Sequence, residues 1–205
     1  LYGDKSEIIV GDGAGIAGSA SKLLKPGLDV DTWYLTEWAG VDPETGKAQW
    51  YKTDANGERV KTFSYGDASK NQIAIDRYTP DFFGGFSTNL SWKNLDMSAV
   101  FGYSVGGKIY NYARAEYDSD GTYTDRNQMK LQDGWSRWEK PGDIATHPQG
   151  IYNNGTNSNK ASSRFLEDGS YLKLRNLTIG YNLALPEWYI SNLRLFVSGE
   201  NLFTL

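Results

Sequence analysis

SSRFLEDGSYLKLRNLTIGYNLALPEWYISNLRLFVSGENLFTL, from Ser162 to Leu205, holds two runs in which apolar and small polar residues alternate, joined by a short turn. In the second run Leu193, Leu195 and Val197 share one face of an extended chain, while Asn192, Arg194, Ser198 and Glu200 share the other, with Phe196 as the exception. In the first run Leu177, Ile179, Tyr181 and Leu183 alternate with Thr178, Gly180 and Asn182. Each strand is greasy on one side and wet on the other, as a wall between two solvents requires. Further up the first run the phase changes: Lys173 and Arg175 take the odd positions, and Leu172 and Leu174 the even ones. A strand that simply runs past the edge of an apolar layer into water accounts for this change, so no bulge is expected.

The same pattern recurs upstream. Phe86, Leu90 and Trp92 oppose Gly85, Ser87, Asn89 and Ser91. After a hairpin-sized turn at Lys93-Asn94, Leu95, Met97, Ala99, Phe101, Tyr103 and Val105 oppose Asp96, Ser98, Gly102 and Ser104, with Val100 out of pattern. Asn94 is the residue expected to tolerate positive φ in that turn. Strands of about 9–11 residues with this alternation, short turns at one end and long loops at the other are expected of an outer-membrane β-barrel. With the Lys93-Asn94 turn periplasmic, the segment from about Gly106 to Ser170 becomes an extracellular loop, and the turn from Ala184 to Ser191 is periplasmic again. Trp92, Trp188 and Tyr189 then lie near the inner turns and Phe86, Tyr103 and Phe203 near the outer ends, as two aromatic girdles would. The fold class expected is all-β, an antiparallel transmembrane barrel segment with long extracellular loops. A soluble, secreted carbohydrate-binding β-sandwich is the alternative, because its strands also alternate. The two differ in what Leu177, Ile179, Leu193, Leu195, Met97 and Phe101 face: lipid in the first, a packed core in the second.

Composition narrows the function. The chain has 205 residues, a net charge of −4 and no cysteine, so disulfides and thiolate chemistry are excluded. A mean hydropathy of −0.56 without any long apolar run excludes transmembrane helices but not barrel strands. No basic stripe exists to neutralise phosphates, so nucleic acid is not expected as a partner. The chain begins at Leu1 without an initiator Met or a signal peptide and stops at Leu205 within a strand, and is expected to be part of something longer.

Four blocks resemble the C-terminal barrel portion of the SusC/RagA family of TonB-dependent outer-membrane transporters, typical of Bacteroidetes. They are AGVDPETGKAQWY from Ala39, YTPDFFGGFSTNLSWKNLDMSAVFGYSVGGKIYN from Tyr78, SSRFLEDGSYLKLRNLTIGYNL from Ser162, and the closing NLRLFVSGENLFTL. They cover about half the chain in the family's order; Lys52 to Arg77 and Ala113 to Ala161 read as variable loops. The resemblance implies that residues 1–205 are the C-terminal part of a barrel of about 22 strands, with its plug domain and TonB box outside this chain. It also implies import of glycans or oligopeptides with a SusD-like surface lipoprotein, driven by the TonB complex.

No enzymatic role is expected and no cofactor is implied. His147, alone of its type and beside a proline, reads as a surface loop residue, and Glu116, Asp118, Asp120 and Asp125 as acids of a solvated loop. DSDGTY from Asp118 and DANGE from Asp54 share the alternating oxygens of calcium loops but lack the later glutamate, and ordinary turn chemistry explains them. No metal site is expected. The candidate substrate-binding residues are the long loop's aromatics Tyr110, Tyr112, Tyr117, Tyr123, Trp135 and Trp138, interleaved with Asp, Asn, Arg and Gln. Sugar rings stack on such faces, although packing of the loop uses the same residues. Trp33, Trp38 and Trp50 flank the DPETG turn and are expected to form a second rim hairpin, in a packing role.

Overall fold

The computed structural model describes residues 8–11, 21–185 and 192–205. In chain order the strands are β1 (Ile8–Gly11), β2 (Ser21–Leu24), β3 (Thr32–Leu35), β4 (Trp38–Val41), β5 (Ala48–Thr53), β6 (Arg59–Thr62), β7 (Ile73–Arg77), β8 (Phe82–Trp92), β9 (Leu95–Val105), β10 (Lys108–Tyr110), β11 (Leu166–Asp168), β12 (Tyr171–Ala184) and β13 (Asn192–Thr204). Two short helices, α1 (Tyr65–Ala68) and α2 (Tyr112–Tyr117), accompany them. Among the described residues no helix is long and apolar enough to cross a membrane. The chain divides into two units: Thr79–Gly107 with Asp168–Leu205, the sheet unit, and Leu1–Tyr78 with Lys108–Glu167, the loop unit.

The sheet unit is one antiparallel sheet in the order β13-β12-β9-β8. The expected pairs form: Leu90 opposes Met97 and Trp92 opposes Leu95 across the first hairpin, and Ile179 opposes Val197 and Tyr181 opposes Leu195 across the last two strands. The Lys93-Asn94 turn is as short as expected, but the positive φ falls on Lys93 (φ 53°) and not on Asn94. The expected turn from Ala184 to Ser191, with Trp188 and Tyr189, lies mostly outside the described residues. β8 and β9 have 11 residues each, whereas β12 and β13 have 14 and 13 and exceed the expected length.

A bulge helps to explain the extra length of β12, and it corrects the reading of the phase change. Register shifts between Leu174 and Asn176 against both neighbours: Arg175 is an extra residue against β9, whereas against β13 the extra residue lies on β13, with Asn201 and Leu202 opposite Arg175. Leu172 then opposes Tyr103 and Leu174 opposes Phe101, while Leu177 opposes Ala99 and Ile179 opposes Met97. Both leucines therefore rejoin the apolar face, since one inserted residue reverses every later side chain. A second irregularity sits alongside in β13, where Asn201 adopts φ 52°. The apolar face is continuous across all four strands and carries a stacked Phe86–Phe101 pair at 4.6 Å and an edge-on Phe82–Tyr103 pair at 6.2 Å. Val197 is 77% exposed, Trp92 69% and Leu195 56%, so no second sheet covers this face among the described residues. A sandwich needs that second sheet.

The polar face is laced together. Arg194 donates to Asp96 at 2.5 Å, Asn182 donates to the same carboxylate at 3.1 Å, and the Thr178 and Ser198 hydroxyls meet at 2.9 Å. Phe196, the exception in the alternation, lies under the Arg194 guanidinium at 5.3 Å.

The loop unit holds the sheets β1-β2-β3-β7 and β4-β5-β6 and the pair β10-β11. Its core has two centres: Trp33, Leu35, Tyr110, Ala161 and Phe165 in one, and Ala48, Trp50 and Ala68 in the other. Trp38 and Trp50 face each other across β4 and β5, edge-on at 5.6 Å, and form the expected hairpin over DPETG. Trp33 does not belong to it; it lies in β3 in the other core, donating to the Lys108 carbonyl at 2.7 Å. The DANGE stretch is an Asx turn, with Asp54 accepting from the Asn56 and Glu58 amides at 2.9 and 2.8 Å.

Candidate functional site

The loop unit is organised around the DSDG stretch after α2. Asn111 caps that helix by accepting from the Arg114 amide at 2.9 Å, and the Asp118 amide donates to the Arg114 carbonyl at 2.7 Å. Positive φ at Asp120 (53°) and Gly121 (91°) then turns the chain sharply. Asp120 accepts from Arg164 at 2.6 Å through one oxygen, and through the other from Arg137 at 2.8 Å and Arg164 at 3.2 Å. Asp118 Oδ2 receives Arg164 at 3.3 Å and Arg114 at 3.4 Å and meets His147 Nε2 at 2.8 Å. Around this centre Ser119, Ser158, Ser162 and Asn154 are buried as well.

This corrects two expectations. Asp118, Asp120 and His147 are fully buried, and only Glu116 and Asp125 of the acidic cluster remain in a solvated setting. Three arginines make burial tolerable; Arg114 stands four residues before Asp118, an ordinary helical spacing, whereas Arg137 and Arg164 lie up to 46 residues away, and no spacing rule encodes them. His147 is held on both sides of its ring, with Nδ1 2.8 Å from the Thr146 hydroxyl and the ring face 5.0 Å from Trp135. The Ser136 carbonyl takes the Thr146 and His147 amides at 3.1 and 3.0 Å and the Thr146 hydroxyl at 2.9 Å, which fixes the hydroxyl beside Nδ1. Burial works to raise the Asp118 carboxyl, but the bond to His147 and the arginine charges outweigh it and hold the group below the ordinary carboxylate range. Carboxylates so engaged by guanidinium groups are poor general acids and poor calcium ligands.

The six candidate aromatics do not converge on one surface. Tyr110 is buried in the core, 6.0 Å from both Trp33 and Phe165, and Tyr112 packs on it at 4.6 Å. Trp135 lies between His147 and the Arg114 guanidinium, the latter 4.5 Å from its ring. Trp138 donates to the Pro43 carbonyl at 2.7 Å and lies over Gly46 of the DPETG turn, where a Cβ would run into its ring. Tyr123 is half-buried, accepts from Asn159 at 3.2 Å and carries Arg126 over its ring at 4.5 Å. Tyr117 is the open one, at 47% exposure.

Tyr117 borders a cavity of about 340 Å³ with Asn111, Ala113, Arg114, Asn127, Gln128 and Met129. One aromatic ring, a methionine and the amide side chains of Asn127 and Gln128 on a shallow apolar floor suit a ligand with ring or aliphatic faces and hydrogen-bonding groups, while Asn111 is engaged by the Arg114 amide and Glu167. Asn127, Gln128 and Met129 were not singled out from the sequence, where nothing but their distance from Tyr117 along the chain is visible. Met129 reaches the site because its amide donates to the Tyr117 carbonyl at 2.9 Å.

Comparison with known proteins places these features in a family. No family model matches the chain. It is 29% identical over 202 residues to "TonB-dependent receptor P3" of Formosa agariphila, covering 90% of this chain and 18% of that receptor. It is 30% identical over 166 residues to "TonB-dependent receptor P26" of the same organism, covering 78% of this chain and 15% of that one. Among solved structures, the RagAB peptide transporter superposes with a TM-score of 0.66 at 25% identity, over 100% of this chain and 24% of that one. The RagAB peptide importer in its closed-closed state gives a TM-score of 0.60 at 26% identity, with the same coverage. The chain thus spans less than a fifth of the length of the curated relatives it matches. These relatives are receptors and transporters, and an enzymatic role is set aside with them. By these likenesses in sequence and in fold the chain is a segment of a SusC/RagA-type TonB-dependent transporter.

Proposed function

We propose that residues 1–205 form the C-terminal part of the barrel of an outer-membrane importer, with the apolar face of β8, β9, β12 and β13 against lipid and the polar face lining the lumen. The observation that carries this reading is the uncovered apolar face, continuous over four strands and made so by the Arg175 bulge. A lumen of about 22 strands holds a plug domain in proteins of this kind. The loop unit then lies at the extracellular mouth, where it meets oligopeptide or glycan substrates and a SusD-like lipoprotein, and the TonB complex supplies energy through a part of the protein outside this chain.

Within the loop unit the substrate-contacting surface is the cavity beside Tyr117, with Gln128 and Asn127 as its hydrogen-bonding groups. Tyr110, Tyr112, Tyr123, Trp135 and Trp138 hold the loop in shape around it. Deleting Tyr117 to Trp138 would remove Asp118, Asp120 and Arg137 and collapse the whole unit, so point substitution is the cleaner test. In the full-length transporter, Tyr117→Ala with Gln128→Ala should reduce uptake of oligopeptides or of glycans, whichever the wild type imports, with surface amounts unchanged. Uptake at wild-type rates by that double variant would refute the role.

A further inference from the structure

The polar face of the sheet has a hollow that the alternating pattern does not predict. Gly85 and Gly102 are directly paired across β8 and β9, so two adjacent positions on this face have no side chain. The space is about 510 Å³, walled by Phe83, Ser87, Val100 and Arg175. Phe83 is 77% exposed although it points to the polar side. The β12 bulge sends Arg175 across the hollow, where its Nε lies 2.6 Å from where a Cβ on Gly102 would be. Lys173 is registered against the same glycine.

Neither Lys173 nor Arg175 forms an ion pair among the described residues. Arg194, the other arginine of this face, is matched by Asp96. Glu200 is the acid nearest in register; it opposes Asn176 from β13, whereas Arg175 leans toward β9, on the opposite side of β12. Two cations at the rim of a floor of bare backbone, beside an exposed phenyl ring, match a carboxylate carried next to an apolar or ring group. A guanidinium takes such a carboxylate bidentately, and the space of about 510 Å³ beside it has room for the group that bears it.

We infer that the Gly85–Gly102 hollow is a carboxylate-binding subsite for the imported substrate, with Arg175 as the principal contact, Lys173 as a second charge and Phe83 as the stacking wall. The inference rests on the reading of the polar face as lumen. The carboxylate would come from an acidic peptide or from a uronic-acid sugar. The test is equilibrium binding to the purified full-length transporter in detergent, where neither TonB nor the lipoprotein takes part. The probes are a glutamate-containing pentapeptide and its glutamine counterpart, and trigalacturonate with neutral galactotriose. Wild-type protein should favour one acidic probe over its neutral partner, and which one identifies the source. Arg175→Gln should weaken the acidic probe about tenfold or more and leave the neutral one unchanged, with Arg175→Lys recovering part of the loss. Gly102→Ala keeps the charge but displaces the guanidinium, and should weaken the same probe. No preference for either acidic probe in the wild type, or equal binding by Arg175→Gln, would overturn the subsite. Loss of cellular uptake in the Tyr117 and Gln128 variant reports on the importer reading separately, because it does not depend on Arg175.

Discussion

The sheet unit and the loop unit use polar residues in opposite ways. Among the described residues of the sheet, apart from glycines, only Ala99 and Ser104 are buried; most of its polar side chains stand on one face and most of its apolar ones on the other, with Phe83, Val100 and Phe196 as exceptions. In the loop unit Asp118, Asp120, His147 and Arg164 are inside, with serines and asparagines around them. The sheet is held by a backbone ladder that any side chain of suitable polarity can decorate. The loop unit is held by specific charge partners, and removing one leaves another buried and unmatched. The difference teaches that one chain can carry a sheet tolerant of substitution and a loop unit whose order depends on a complete ion cluster.

The sharpest way to break the contrast is Asp120→Ala in the full-length protein, which strips Arg164 and Arg137 of their shared carboxylate. It should cost the loop unit about 3–5 kcal/mol. Hydrogen exchange should rise through Lys108–Glu167 while β9 and β12 keep their protection; equal loss in both units would show that they are not independent in stability. Next in size is the contrast of faces. Val197→Arg should destabilise the barrel in bilayers by about 2–4 kcal/mol in urea unfolding, and Ser198→Arg, one residue on, by much less. Equal effects would remove the distinction between lipid and lumen.

Acid should separate the units too. Because the Asp118 carboxyl is held below its unfolded value of about 3.9, its stabilisation is complete above that pH and is lost as pH falls through the lower folded value. Trp135 fluorescence, which reports the ring stacked on His147, should change below about pH 4 while sheet circular dichroism does not, and this change should be weaker in Asp118→Asn. The smallest effect expected is that of Ser198→Ala. Losing the Thr178 hydroxyl contact should cost about 0.2–1 kcal/mol without changing register.

Much of the sheet is legible in the sequence alone. Strand pairing, the two-residue hairpin and the polarity of both faces follow from a period of two, because in a strand the neighbour along the chain decides the face. Even the bulge left a trace, in the out-of-phase Leu172 and Leu174, although running past the apolar layer explained the trace equally well. The loop unit was legible only in pieces. DPETG with its flanking Trp38 and Trp50 read as a hairpin, since the turn residues and the strands they join are contiguous. Asp118 and His147 read as surface residues, since a buried acid cannot be told from a solvated one without its arginines.

By itself, then, the sequence determined what is encoded between near neighbours: which residues share a face, where the chain reverses, and that a wall with two unlike sides results. Only the tertiary structure decided what depends on distant partners. It placed Leu172 and Leu174 back on the apolar face, because register is set by hydrogen bonds to β9 and β13 and not by β12 alone. It brought Arg137 and Arg164 to the DSDG stretch, and it laid Arg175 over Gly102 of another strand. Side-chain alternation is a local property of the extended backbone; charge pairing and register are properties of the folded chain.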